Sequence, residues 1–303
     1  MTIRPVRAIS TTVPTLEGAG VKLQRAFGFD TKNQFDPFLL FDDFRNDNPQ
    51  DFSAGFPWHP HRGIETITYV LTGSVDHGDS LGNEGSLHGG DVQWMTAGSG
   101  IMHQEMPKAN AAGQMHGFQL WANLPSSLKM TPPRYQDVSG ADLPEIIDDD
   151  GVRVKVIIGE FWGKKSPVDG IAAQPQYLDI FVPPYVTKSF SVDTYAHTFA
   201  YIYDGEGAFK DASDPKGVLL EKEVAGQEVN IQDLSGNRTL VAFDTGDEVR
   251  VQAGPQGMKF LLISGAPIQE PVAWHGPIVM NTRDELRTAI NDLKNGTFIK
   301  PAH

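Results

Sequence analysis

Three features of this chain predict an all-β fold of two domains with one short C-terminal helix. Glycine (31) and proline (21) are abundant and spread along the whole length, which argues for many short strands joined by turns and for little helix. Runs of β-branched and aromatic residues stop repeatedly at turn residues, as strands entering turns do. The 303 residues, 40% of them hydrophobic, suffice for two domains of ordinary size, each with a core of its own.

The elements follow in order. Asp36-Pro-Phe-Leu-Leu-Phe41 reads as a strand ending in the acidic turn Asp42-Asp43-Phe44. Glu65-Thr-Ile-Thr-Tyr-Val-Leu71 is a strand that stops at Thr72-Gly73, and Gly89-Gly90-Asp91 turns the chain into Val92-Gln-Trp-Met95. Met115 to Leu124 reads likewise, after which Pro125 and Pro132-Pro133 close a first unit over residues 1–135. Asp148-Asp-Asp-Gly151 lacks the spaced pattern of a calcium loop and reads as a solvated turn. In the second unit, residues 136–303, the run His197 to Tyr203 followed by Asp204-Gly205 echoes His61 to Val70 followed by Thr72-Gly73. Met258-Lys-Phe-Leu-Leu-Ile263 echoes the strand that ends near Trp121, so an internal repeat is the economical reading. Thr282-Arg-Asp-Glu285 is a capping box, with Leu286, Ile290 and Leu293 on one helical face and Gly296 at the stop. His275, between turn residues and without a partner histidine nearby, reads as a structural hydrogen-bonding group.

Charge and composition exclude several function classes. A net charge of −13 disfavours direct binding to nucleic acid, which depends on Lys and Arg neutralising phosphates. No apolar window is long enough to span a bilayer, and the start Met1-Thr-Ile-Arg-Pro-Val-Arg7 has no secretory apolar core, so a cytoplasmic protein is expected. With no cysteine, neither disulfides nor a structural zinc knot contribute.

Two histidine motifs carry the chemistry. His59-Pro60-His61 lies within Gly55-Phe-Pro-Trp-His-Pro-His-Arg-Gly-Ile-Glu65, and His103-Gln104-Glu105 follows the glycine turn Gly98-Ser-Gly100. Residues two apart on a strand project to the same side, so each motif can aim both of its donors at one point. Three imidazole nitrogens and one carboxylate suit Fe(II), Ni, Mn, Co or Cu better than a hard cation such as Ca or Mg. The second half offers no copy of the set. Tyr195 stands at the place of His59, and Glu248-Val-Arg-Val-Gln252 has no His-x-Glu pair.

The segments 36–43, 56–66, 90–107 and 118–124, and more loosely Trp274 to Asn281, together resemble the pirin family, bicupins within the cupin superfamily. That resemblance implies two antiparallel cupin-type β-barrels packed face to face, the N-terminal one holding iron through His59, His61, His103 and Glu105. Zn and the other transition metals named above are further occupants of such a set. The wider cupin pattern His-x-His-x3-Glu nominates Glu65 instead of Glu105 as fourth ligand. We favour Glu105, which leaves Glu65, whose parity with His61 points it inward, to orient an imidazole or accept a substrate proton. Four protein ligands leave an octahedral ion up to two open positions, which favours an oxygenase. Some pirin-like proteins resemble quercetin 2,3-dioxygenases, which cleave the central ring of a flavonol with O2 and release carbon monoxide. By that resemblance Glu105 or Glu65 takes the proton of the flavonol 3-hydroxyl. The aromatic and sulfur side chains near the ligands, Phe56, Trp58 and Met102, are candidate pocket walls. The alternative is a regulatory protein whose metal tunes contact with a protein partner, and fold alone does not choose between the two. Two barrels in one chain already form an internal pseudo-dimer, so a monomer is expected.

Overall fold

The computed structural model describes residues 2–31, 34–169, 172–210, 221–224, 227–230 and 234–300. Among the described residues antiparallel strands dominate, with one α-helix, Arg283–Lys294. The chain divides into two compact units. One comprises Thr12–Leu143, Pro167–Gln174 and Pro267–His303, and the other Met1–Thr11, Pro144–Ser166 and Pro175–Ala266.

The unit that carries both histidine motifs is built from a seven-stranded and a four-stranded sheet. The larger sheet runs, from edge to edge, Arg134–Val138, Val92–Thr96, Ile64–Thr72, His116–Asn123, Phe38–Asp43, Val21–Phe27, Val13–Glu17. The smaller runs Phe56–His61, Ile101–Lys108, Ser74–Asp79, Glu84–His88. Val21, Leu23 and Val70 of the larger sheet share a buried cluster with Val75 and Leu87 of the smaller, so their inner faces meet. The seven-stranded and four-stranded ladders are open sheets, not one closed ring, and side-chain packing joins them.

In the other unit a nine-stranded antiparallel sheet wraps a core that includes Val154, Leu178, Ile180, Phe190, Ile202, Val251 and Phe260. Its two long strands, His197–Lys210 and Glu248–Gly265, bend where their register shifts beside Gly205. Gly205 has φ +68°, and a Cβ there would lie 2.2 Å from the carbonyl oxygen of Gly257, so only glycine lets the two strands approach. The acidic turn at Asp148 is satisfied internally. Its Oδ1 accepts from the backbone N–H groups of Asp150 and Val152, and Lys188 pairs with Asp148 and Asp150.

The division differs from a boundary at 135/136 in four segments, residues 1–11, 136–143, 167–174 and 267–303, and the first and last of these have local reasons. Val6–Thr11 leaves the first unit because it pairs in register with Thr239–Phe243. The C-terminal helix belongs with the histidine motifs because buried Arg62 reaches Asp292 at 2.8 Å and the Phe298 carbonyl at 2.7 Å, with its guanidinium over the Phe298 ring. The expected capping box is present: Thr282 Oγ1 accepts from the Glu285 N–H, and Glu285 accepts from the Thr282 N–H. Its buried face centres on Ala289, with Leu286 packed against Ile278, Met280 and Phe298, while Leu293 is exposed. No helix among the described residues is long and apolar enough to cross a membrane.

Candidate metal centre

The smaller sheet assembles the three histidines by register. On the central strand Ile101–Lys108, burial alternates, so Ile101, His103, Glu105 and Pro107 face inward. His103 pairs directly with His59, and Ile101 with His61, which sets His61 on the same side one step along. Ring centroids of His59, His61 and His103 then lie 4.4 to 5.0 Å apart, and their donor nitrogens all lie within 4.8 Å of one another.

The hydrogen-bond partners fix which nitrogens are available. His59 Nδ1 donates to the Pro57 carbonyl at 2.9 Å and His61 Nδ1 to the Pro277 carbonyl at 3.2 Å. A carbonyl only accepts, so Nδ1 carries a proton in both rings, and in the neutral tautomer this leaves the lone pair on Nε2. Those two Nε2 atoms are 3.1 Å apart. Two imidazole nitrogens about 2.1 Å from a shared ion, at right angles, also lie about 3 Å apart. Neither ring nitrogen of buried His103 has a hydrogen-bond partner. Burial, and then the neighbouring imidazoles, hold His61 and His103 well below the ordinary imidazole value, so both rings are neutral at physiological pH, the form in which imidazole can bind a metal. Crowded lone pairs and an orphaned buried ring suit a cation, and the all-imidazole donor set suits a divalent transition metal.

Glu105 completes the surroundings from the same strand. Its Oε2 lies 4.0 Å from His103 Nε2, while Gln119 Nε2 donates to both carboxylate oxygens at 3.1 and 3.2 Å. Thr68 Oγ1 stands 3.0 Å from Glu105 Oε1 and 3.2 Å from Gln119 Oε1. Trp121 packs edge-on to His61 at 5.0 Å. The centre opens into a cavity of about 480 Å³ whose lining includes His59, His61, Glu105, Leu40, Phe44, Phe52, Phe56, Val75 and Trp121. That volume lies within the usual range for small-molecule sites.

Comparison with known proteins gives this arrangement a family. The model described as Pirin matches residues 20–122, and that described as Pirin C-terminal cupin domain matches residues 177–299. The chain belongs to the pirin family. A pirin-like protein of Caulobacter vibrioides is 42% identical over 299 residues, which cover 98% of this chain and 100% of that protein. A solved quercetin 2,3-dioxygenase from Acinetobacter baumannii is 30% identical, with TM-score 0.84 and 98% of each chain covered. A bacterial pirin from Escherichia coli, solved in complex with nickel(II), is 18% identical with TM-score 0.60, covers 86% of this chain and 100% of its own, and shares the fold.

The remaining residues nominated from the sequence part company. Phe56 lines the cavity, because the register shift between His103 and Glu105 turns it to the same side as His59. Trp58 is 52% exposed, and Met102 alternates away from His103, so neither lines it. Glu65 does not face the histidines. The strand that holds it begins after the Arg62-Gly63 break, where Gly63 has φ +77°, and parity with His61 is lost. Glu65 is three residues from Thr68 with no register shift between, so it lies on the opposite face of the sheet, where its Oε1 accepts from Thr96 Oγ1 at 2.7 Å. Conversely, Gln119, Thr68 and the Pro277 carbonyl hold the centre together and were not singled out by motif. A polar residue at inward parity within Phe118-Gln-Leu-Trp121 is the signal that marks Gln119.

Proposed function

We propose that this chain is a metal-dependent dioxygenase of the quercetin 2,3-dioxygenase kind, acting on flavonols. His59, His61, His103 and Glu105 are its ligand set, with Fe(II) as the favoured occupant. The observation that carries the reading is the cavity itself, since the three-histidine cluster borders a largely apolar chamber of the volume of a small aromatic ligand. A metal that only tunes a surface has no need of such a chamber. The likeness to a solved quercetin 2,3-dioxygenase over nearly the whole chain supports it.

When bound, the metal supplies Lewis acidity toward a chelating hydroxyl and carbonyl and a meeting point for substrate and dioxygen. The protein supplies the rest. Leu40, Phe44, Phe56 and Trp121 offer apolar walls to a flat ring system and exclude water from it. Glu105 accepts the proton of the flavonol 3-hydroxyl as it ionises, its carboxylate held in place by Gln119 and Thr68. Both atoms of O2 enter the cleaved product and one substrate carbon leaves as carbon monoxide.

The test is anaerobic loading with Fe(II), then oxygen uptake and carbon monoxide release on adding quercetin. Metal-dependent consumption of O2 with matching release of carbon monoxide is the expected result. Stoichiometric metal with no oxygen uptake on any flavonol would overturn the reaction in favour of a regulatory protein. A separate prediction concerns Gln119, whose side-chain amide donates to both oxygens of Glu105. Gln119→Leu should weaken metal binding about tenfold, as loss of a group that orients a ligand does. A competitive chelator titration reads this, and unchanged affinity would show that Glu105 needs no such support.

A further inference from the structure

One row of polar side chains crosses the inner face of the seven-stranded sheet. Thr68 pairs in register with Gln119, Gln119 with Asp42, and Asp42 with Arg25, each on the next strand across. Register partners share a face, and all four line the cavity. Glu105 of the facing sheet sits over the Thr68–Gln119 end. At the other end Arg25 donates from Nε and Nη2 to the two oxygens of Asp42 at 2.8 and 2.7 Å, and from Nη2 to Glu17 at 2.9 Å. Strands lie about 4.8 Å apart, so about 14 Å separates the Thr68 and Arg25 strands. A planar molecule of three linked rings spans that distance.

The geometry points to Asp42 and Arg25 as a polar docking subsite, which selects substrates bearing a neutral phenolic hydroxyl at the end opposite their metal-chelating oxygens. This deepens the flavonol reading and rests on it. Asp42 is 4% exposed, and each of its oxygens gives one lone pair to Arg25 and keeps another for a hydroxyl donor. Burial pushes Asp42 up to about 6 against the pull of Arg25, so at neutral pH it is an ionised acceptor. The single guanidinium faces two carboxylates, Asp42 and Glu17, so the subsite carries one net negative charge and repels anionic substituents. Without a hydroxyl to receive, a desolvated carboxylate oxygen stays under-satisfied, which is how such a site discriminates.

The experiment measures binding of two ligands to the Zn(II)-loaded full chain under argon, with oxygen uptake of the Fe(II) form followed separately. Quercetin has hydroxyls on both outer rings, whereas 3-hydroxyflavone keeps only the chelating pair. Wild type should bind quercetin about tenfold tighter, and Asp42→Asn should bring the two affinities together by weakening quercetin alone. Glu17 still balances Arg25 in that variant. Should it fail to fold, Asp42→Asn combined with Arg25→Gln removes both charges and serves the same comparison. A variant that keeps the full preference, or that loses both ligands equally, would overturn the subsite. If neither ligand binds wild type, the flavonol reading falls and the subsite with it. Binding without oxygen uptake would overturn only the reaction, and the two affinities would still decide the subsite.

Discussion

His103→Ala should abolish metal binding while leaving a folded chain. His103 stands on the central strand of the smaller sheet, between His59 on one neighbour and Asp79 on the other. It is buried, neutral, and without a hydrogen-bond partner on either ring nitrogen. Removing a group that merely orients a ligand costs up to about 100-fold in affinity, and a direct donor at the centre of the set costs more. The apo fold loses the packing of the ring against His59 and His61 but no hydrogen bond. The readouts are metal content after anaerobic loading and thermal unfolding with and without metal. Free metal at about a hundred times its dissociation constant should stabilise wild type by about 2.7 kcal/mol and leave the variant unmoved. A variant that retains one metal per chain and the same thermal rise would show that the ion sits elsewhere.

What could be read in the sequence divides along a physical line. His59, His61 and His103 were legible because same-face placement at i and i+2 is a local property of any strand, and two such motifs on neighbouring strands need only one register to meet. The same rule fails for Glu65, because the strand is interrupted at Arg62-Gly63 and the alternation restarts there. Trp58 and Met102 lie close to the histidines in sequence, yet each adjoins one directly and alternation turns it away, whereas the bulge between His103 and Glu105 returns Phe56 to the inner side. The row Thr68, Gln119, Asp42 and Arg25 was out of reach. Each strand contributes one unremarked polar residue, and only the pairing of four strands aligns them. The C-terminal helix shows the same limit: its capping box is local and legible, while its assignment depends on Arg62 meeting Asp292 across most of the chain.

Glu65→Gln should stabilise the protein by up to about 3 kcal/mol at pH 8 and change nothing at pH 4. Burial raises the Glu65 carboxyl from 4.5 to about 7, with Thr96, Trp94 and Arg134 working against it, and Oε2 has no hydrogen-bond partner. Each tenfold change in proton affinity is worth about 1.4 kcal/mol, so this rise amounts to about 3 kcal/mol. The sign follows from which state holds the proton. Below 4.5 both folded and unfolded chains are protonated and the group contributes no difference. Between 4.5 and about 7 the unfolded chain has released its proton and the folded chain has not, so stability falls as pH rises. Above about 7 both are ionised and the full cost of a buried carboxylate remains. Glutamine has the shape of the protonated acid, retains a polar partner for Thr96 Oγ1, and cannot ionise. Denaturant unfolding of metal-free wild type and variant across pH 4 to 8 should therefore give curves that coincide at the acid end and separate through this window. Parallel curves would mean that Glu65 ionises in the folded chain as freely as in water. Because Glu65 lies on the face away from the histidines, metal content should be the same in both proteins, whereas Glu105→Ala should lower it. Loss of metal in Glu65→Gln would return Glu65 to the centre and displace the register on which the site has been built.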